Sequence, residues 1–143
     1  MAQLVEDWQF QIEWNSKVKT LEVVEEIWKD VNIIYQKTYS IFFISSRDFC
    51  VWAARFYLKN KKIVLVNHSI DYPEISPNGA VRGKVNSIFI FEPLSKNSTR
   101  ILNILNVDLK GSIPRFVSNK MAETQHESFS LLRSKIEEYH NSI

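Results

Sequence analysis

The sequence contains few of the residues that interrupt regular structure. Only three glycines and four prolines occur among its 143 residues, and these two residue types form most tight turns. We find no internal repeat, low-complexity tract or flexible linker, which favours a single domain over residues 1–143. The one cysteine, Cys50, cannot form an internal disulfide, and this fits a reducing compartment.

Excess charge and long apolar runs are also lacking. The net charge is only +2, because eighteen basic residues are interleaved with sixteen acidic ones. A nucleic-acid-binding protein would instead concentrate Lys and Arg on one face. No apolar run approaches the roughly 18 residues of a membrane span, and the N-terminus has no secretory pattern. We therefore expect a cytoplasmic protein that binds no nucleic acid.

Residue patterns typical of an active site are missing too. His68, His126 and His140 have no cysteine or carboxylate at metal-ligand spacing. The sequence has neither a glycine-rich phosphate loop nor a Gly-x-Ser-x-Gly nucleophile motif. Cys50 lies in an apolar run, which is typical of a buried and unreactive thiol. The sequence thus predicts no metal, no cofactor and no catalytic residue, and a protein that is not an enzyme.

Apolar residues are abundant, at 45% of the chain, and include nine Phe, five Tyr and four Trp. This is enough for a core or for the wall of an apolar cavity. Leu4, Trp8 and Ile12 lie four residues apart and predict one or two helical turns. Alternating and β-prone segments then predict strands at 17–27, 31–39, 48–58, 63–69, 85–91 and 100–109, with connections at 59–62, 71–83 and 93–98.

A long helix is predicted to begin at Pro114 and to end near Tyr139. One stripe of this helix is apolar at both ends and carries Thr124 and Ser128 in its middle. Either the helix packs on the sheet with these hydroxyls bonded to its own carbonyls, or it covers a cavity with the hydroxyls facing a ligand. Strands followed by one helix predict an α+β fold, with the helix packed on one face of an antiparallel sheet.

Four short motifs occur in a fixed order along the chain: Trp14-Asn15, Ser45-Ser46-Arg47-Asp48-Phe49, Val81-Arg82-Gly83, and residues 107–111 (VDLKG) followed by Pro114. Together they resemble the StAR-related lipid transfer (START) domain. The resemblance implies a helix-grip fold, in which a curved antiparallel sheet (about six strands here) is crossed by a C-terminal lid helix at 114–140. It also implies one hydrophobic ligand between them. We interpret the adjacent charges of Arg47 and Asp48 as an anchor for a turn, not as ligand contacts.

The sequence departs from the family pattern at the polar pair of its sterol-binding members. A buried arginine of those members corresponds to Ala53 here, so a phospholipid or fatty-acyl ligand is favoured over a sterol. Period-2 alternation places Arg55 on the same face as Ala53. Arg55 is either buried against an anion, such as a lipid phosphate or fatty-acid head group, or extended into solvent at a sheet edge.

A second departure lies at the N-terminus, where the helix and three strands that begin a START domain have no counterpart. A truncated sequence, an edge covered by a second copy, and a shortened domain with a shallower groove are three open explanations. Because an unpaired edge promotes association, we expect a homodimer or strand exchange.

The resemblance implies non-enzymatic binding of a single lipid and its transfer between membranes, with peripheral and transient membrane contact. The alternative is a regulatory or scaffolding START-like domain that acts through protein contacts or dimerisation; an enzyme of the wider helix-grip superfamily is a weaker third reading. Ile41, Phe42, Phe43 and Ile44, a short strand or an apolar loop, are expected at the cavity mouth. The expected lipid-binding residues are Tyr35, Val51, Ala53, Arg55, Tyr57, Asn103, Met121, Thr124, Gln125 and Ser128.

Overall fold

A computed structural model of the chain describes residues 7–77 and 79–143, and shows a sheet crossed by one long helix. Leu4, which was assigned to the first helical turns, lies outside the described residues. The short helix α1 is followed by seven strands and by the long helix α2. Their bounds are α1 Phe10–Trp14, β1 Val18–Trp28, β2 Val31–Thr38, β3 Arg47–Tyr57, β4 Ile63–Ser69, β5 Val81–Arg82, β6 Lys84–Ser95, β7 Ser98–Asp108 and α2 Arg115–Ser142.

The strands form one sheet in the order β1-β2-β3-β4-β6-β7, and every neighbouring pair in this path is antiparallel. The predicted antiparallel sheet with a C-terminal helix is therefore confirmed. The sheet has seven strands and not six, because Val81–Arg82, predicted as part of a loop, pairs in parallel with the start of β3. Within the described residues, β1 and β7 each leave one edge unpaired.

The β6–β7 hairpin is longer than the sequence indicated. Residues 93–98 were predicted as a connection, but β6 continues to Ser95 and β7 starts at Ser98. Pro93 lies opposite Thr99, and the register shifts between Pro93 and Ser95. Proline has no N–H to give to the ladder and is tolerated in strands mainly at such irregularities, so the hairpin extends past it.

The apolar residues of one sheet face pack together beneath α1. Odd-numbered residues of β3, among them Phe49, Val51 and Ala53, join Val18 and Ile34 in a buried cluster. The register explains this, since Ile34 is paired with Val51 and paired residues share a face. A second cluster joins the helices through Phe10 of α1 and Leu132 of α2. Helix α2 thus packs on α1 and is held above the sheet.

Candidate functional site

A cavity of about 490 Å³ lies between α2 and the sheet face that carries Val51. We call this face the inner face. The volume falls within the roughly 300–1,000 Å³ of sites that hold small ligands. Alternate residues of neighbouring strands line it, as the pleat of a sheet requires. They include Ile34 and Gln36 of β2, Phe49 and Val51 of β3, Leu65 and Asn67 of β4, Ser87, Phe89 and Phe91 of β6, and Asn103, Leu105 and Val107 of β7.

Helix α2 forms the opposite wall with residues three or four positions apart, which lie on one helical face. These residues are Ser118, Met121, Ala122, Gln125, Phe129, Leu132 and Ile136. Aromatic rings close one end of the wall. Trp14 meets Phe89 edge-on at 6.3 Å between ring centroids and Phe129 at 6.4 Å, while Phe89 stacks on Phe91 at 6.1 Å. These ring contacts connect α1, β6 and α2. The rings also line the cavity, so this part of its wall is apolar.

Arg47, from the Arg-Asp-Phe motif, lines the cavity, and its guanidinium donates to three backbone carbonyls and to Ser45 Oγ. Its Nε donates to the carbonyl of Leu109 at 2.9 Å, and Nη2 donates to that of Lys110 at 3.2 Å. Nη1 donates to the carbonyl of Ser45 at 2.6 Å. Arg47 therefore fixes the exit of β7, which contains the Val-Asp-Leu-Lys-Gly motif, against the start of β3.

Asp48 lies on the outer face of the sheet, opposite the cavity, and is fully buried. Its Oδ1 accepts a hydrogen bond from Arg82 Nε at 2.8 Å, and Oδ2 accepts one from Arg82 Nη2 at 3.2 Å. The Tyr35 hydroxyl donates to Oδ2 at 3.0 Å, and Arg82 Nη2 also donates to the carbonyl of Ile75. Arg47 and Asp48 thus anchor three separate chain segments, which agrees with the interpretation of the pair as a structural anchor.

Burial changes the acidity of two groups on this outer face. Burial and the hydrogen bond to Asp48 together raise the pKa of Tyr35 to about 12. Burial also raises the pKa of the Cys50 thiol, which is almost inaccessible. A thiol that stays protonated in an apolar environment is a poor nucleophile, so neither group suggests reactivity.

The structure places four of the ten predicted lipid-binding residues in the cavity wall: Val51, Asn103, Met121 and Gln125. Ile41 and Ile44 of the predicted mouth also line it. These residues were predicted from period-2 alternation in the strands and from helical spacing in α2, and the cavity wall follows both spacings. Their contact with a lipid stays a prediction.

Three other predicted residues lie elsewhere on β2 and β3. Tyr35 points to the outer face, because β2 places Ile34 and Gln36 on the inner one. Ala53 has the expected face but is completely enclosed in the core beneath α1. Tyr57 is half exposed at the end of β3, beyond the cavity. Expecting these three residues in the cavity wall was wrong. Tyr35 was assigned to the wrong face of its strand, whereas Ala53 and Tyr57 lie too far along β3 to reach the cavity.

Arg55 is buried, so the alternative in which it extends into solvent is wrong. Its Nη1 forms an ion pair with Asp30 Oδ1 at 2.9 Å, and its guanidinium lies 4.6 Å from the centre of the Trp8 ring. The anion that a buried arginine requires is thus supplied by the chain itself. Arg55 is therefore held within the protein by Asp30 and Trp8 and does not line the cavity.

The hydroxyls of Thr124 and Ser128 bond to carbonyls of their own helix, which was the first of the two alternatives. Thr124 Oγ1 donates to the carbonyl of Met121 at 2.8 Å, and Ser128 Oγ donates to that of Thr124 at 3.3 Å. Both side chains lie beside the cavity-lining stripe and not within it. These hydroxyls are already bonded within their own helix, which corrects the expectation that they face a ligand.

The segment of residues 41–44 is a tight turn closed by a bridge between Ile41 and Ile44. Phe42 and Phe43 both adopt positive φ, at 49° and 65°, a region that bulky residues rarely occupy. The Phe43 ring is fully exposed. The turn and the start of α2, including Phe116, border a second groove, so an apolar tip lies beside one end of the cavity.

Sequence reasoning missed Lys17, whose side chain lines the cavity. It also missed the part of the wall formed by Gln36, Phe89 and Phe91. The alternation of β2 and β6 could have identified that part, since these residues share a face with Ile34 and Ser87. The sequence pattern predicts a strand that begins at residue 17, but β1 begins at Val18 and Lys17 lies in the preceding turn, so strand alternation does not give the direction of its side chain.

Within residues 7–77 and 79–143, neither helix combines the length and the hydrophobicity that a membrane span requires. The same residues contain no cluster of three or more His, Cys, Asp or Glu side chains that could hold a metal ion.

Comparison with known proteins gives a consistent result. A family model described as "START domain" matches residues 1–137. The mitochondrial steroidogenic acute regulatory protein of Mesocricetus auratus is 28% identical over 144 residues, covering 95% of this chain and 50% of the relative. The Homo sapiens protein of the same name is 27% identical over 145 residues, covering 96% and 50%. The chain thus spans about half the length of these relatives.

Solved structures show the same helix-grip architecture. Human StAR-related lipid transfer protein 5 matches with a TM-score of 0.82 at 21% identity, covering 91% of this chain and 65% of that one. A fragment of the STAR-related lipid transfer protein from Xanthomonas axonopodis matches with a TM-score of 0.75 at 18% identity, covering 95% and 77%. These likenesses establish the fold, and the family model covers nearly the whole sequence. The chain belongs to the START domain family.

Proposed function

We propose that this domain binds one lipid in the cavity between the inner face and α2, and transfers it between membranes without chemical change. The observation that supports this most directly is the cavity, whose wall is mainly apolar on both the sheet and the helix side. Each buried CH₂ contributes about 0.8 kcal/mol, so an acyl chain gains affinity along its length. A few polar residues, such as Asn103 and Gln125, would set its orientation.

The names of the family, of the matched relatives and of the solved structures support lipid transport as the activity. For the ligand class we propose a phospholipid or a fatty-acyl lipid over a sterol. The position of the sterol-binding arginine is occupied by Ala53, which is sealed in the core. Arg55 cannot replace that arginine, since Asp30 pairs with it.

The turn of residues 41–44 supports a route for exchange. Its exposed Phe42 and Phe43 can enter the surface of a membrane, while Ile41 and Ile44 lead into the cavity. Movement of this turn away from the start of α2 would admit a lipid and leave the sheet intact. We place this transient contact at cytoplasmic membrane surfaces, and the free, buried thiol of Cys50 fits a reducing compartment.

Blocking the cavity tests the proposal. A fluorescent polyene fatty acid is titrated into the wild-type chain, into Met121→Trp, and into Glu123→Trp as a matched control. Met121 lines the cavity, whereas Glu123 is exposed on the other side of α2. We expect Met121→Trp to weaken binding at least tenfold and Glu123→Trp to leave it unchanged. Equal binding by all three proteins would place the fatty acid outside the cavity.

A second candidate function is a regulatory or scaffolding role that depends on dimerisation. It is supported by the outer face of the sheet, where apolar residues pair across four strands next to the open edge of β7. Phe56, Ile88, Leu102 and Ile104 are exposed there, and exposed apolar areas often mark interfaces. The paired rows are Phe56–Val64–Ile90–Leu102 and Ala54–Val66–Ile88–Ile104.

Sedimentation of the wild type and of Ile104→Lys tests the second candidate. A dimer that dissociates in Ile104→Lys, together with wild-type fatty-acid binding by that variant, would assign dimerisation to the outer face and lipid to the inner one. A wild-type chain that remains monomeric at high micromolar concentration would eliminate the dimer.

A further inference from the structure

Lys17 occupies a turn between α1 and β1 whose backbone is held on both sides. Its N–H donates to Asn15 Oδ1 at 3.3 Å, and its carbonyl accepts a hydrogen bond from the N–H of Tyr39 at 3.0 Å. The side chain lines the cavity. A lysine in a turn would normally extend into water, so its inward direction needs an explanation.

The Lys17 ammonium group is buried and has no hydrogen-bond partner among the described residues. Its Nζ exposes less than 1 Å² to solvent. Removing an ammonium group from water without a partner is unfavourable, and burial accordingly lowers the pKa of Lys17. Glu127 of α2 attracts the charge and opposes this change, but it forms no ion pair with Nζ.

The other cations near the inner face have partners within the protein. Arg47 donates to the carbonyls of Ser45, Leu109 and Lys110, and Arg55 is paired with Asp30. Lys17 is therefore the cation of the described cavity wall whose three donors remain available for a bound molecule. An anionic oxygen is the partner that best satisfies an ammonium group.

We infer that Lys17 receives the anionic group of the bound lipid, a carboxylate or phosphate oxygen, and so makes the cavity selective for anionic lipids. This inference rests on the proposed lipid-binding function. The apolar wall binds the acyl chain of acidic and neutral lipids alike. Lys17 contributes only when the lipid carries a negative charge.

The test compares an acid with its neutral derivative. A fluorescent polyene fatty acid and its methyl ester are titrated into the wild type, Lys17→Met, Lys17→Arg and Lys29→Met. Lys29 is an exposed residue of the β1–β2 turn, so its substitution controls for net charge. A hydrogen bond to a charged group corresponds to a change of about 10- to 100-fold in affinity.

We expect Lys17→Met to lose 10- to 100-fold in affinity for the acid while its affinity for the ester stays unchanged. Lys17→Arg should retain the preference for the acid, and Lys29→Met should behave as the wild type. Equal affinity of the wild type for acid and ester, or equal losses for both in Lys17→Met, would overturn the inference and leave lipid binding intact. Binding of neither probe to the wild type would instead overturn the proposed function itself.

Competition identifies the source of the anion. Lysophosphatidate, a free fatty acid of the same chain length and the corresponding monoacylglycerol each compete with the bound probe. Lysine-dependent displacement by lysophosphatidate indicates a phosphate ligand, and the same result with the fatty acid indicates a carboxylate. Equal competition by the uncharged monoacylglycerol would contradict the inference.

Thermal unfolding separates ligand binding from a structural role. In the lipid-free chain, Lys17→Met removes an unpaired buried charge, so its melting temperature should equal or exceed that of the wild type. A clear decrease would show that Lys17 supports the fold, and would overturn the view that its ammonium group is held for a ligand.

Discussion

Asp48, fully buried on the outer face of the sheet, pairs side by side with the guanidinium of Arg82, at 2.8 Å and 3.2 Å. Arg82 in turn donates to the carbonyl of Ile75. One ion pair therefore joins the middle of the sheet to the loop before β5. The same ion pair links the Arg-Asp-Phe motif to the Val-Arg-Gly motif.

Arg82→Ala should destabilise the protein by about 3–5 kcal/mol, because the buried Asp48 carboxylate loses its counter-ion. Urea unfolding measures the change. Arg133→Ala is the matched control, since Arg133 forms an exposed pair with Glu137 and such pairs contribute little. Identical urea midpoints for Arg82→Ala and the wild type would contradict the assigned role of the pair.

Gly83 is required by the close packing of Phe49. A Cβ at Gly83 would lie 2.5 Å from Phe49 Cε1 and 3.1 Å from the carbonyl oxygen of Asp108. We expect Gly83→Ala to cost about 1–3 kcal/mol, as overpacking does. In Phe49→Leu/Gly83→Ala the smaller side chain relieves the clash, so the double variant should be more stable than the sum of the single effects predicts. Strict additivity in urea unfolding would contradict this.

The raised pKa of Tyr35 predicts a dependence of stability on alkaline pH. Its folded value of about 12 exceeds the usual tyrosine value of about 10. Tyr35 therefore contributes stability that is fully present below about pH 10 and is lost as the pH rises towards 12. The stability difference between the wild type and Tyr35→Phe should be constant below this window and shrink within it. A difference that grows with pH would refute the assignment, and phenolate absorbance provides an independent titration.

The exposed tip at Phe42 and Phe43 should govern the rate of transfer more than the affinity for lipid. Replacing both by Ser should slow transfer between vesicles several-fold, because the tip no longer enters the membrane, while equilibrium binding of a fluorescent fatty acid is retained. Trp28→Ser is the control, since Trp28 is also an exposed aromatic residue but lies at the far end of β1. An unchanged transfer rate for the double variant would remove the gating role.

Short-range patterns predicted most of the fold, because alternation and helical spacing are local. The inner face of β3 could be assigned from Val51, whereas Tyr35 on β2 was assigned to the wrong face. The cross-strand register that settles its direction, Tyr35 opposite Cys50, depends on the turn between the strands. A shift of one residue reverses every side chain of a strand.

Contacts between distant segments could not be predicted in the same way. The partner of Arg55 proved to be Asp30 in the β1–β2 turn, a contact that exists only once β1, β2 and β3 are in register. The burial of the Lys17 ammonium group has the same origin, since the cavity that it lines exists only in the folded chain. Spacing along the sequence indicates neither.

Native mass spectrometry of the purified chain, followed by extraction and identification of any lipid, is the most direct test of the claim that the cavity holds one lipid. We expect one lipid per chain, carrying a carboxylate or phosphate, with lower occupancy in Met121→Trp than in Glu123→Trp. A lipid-free protein that also fails to take up added fatty acid or phospholipid would contradict the claim. If that lipid-free protein were a dimer, function would have to be sought on the outer face of the sheet.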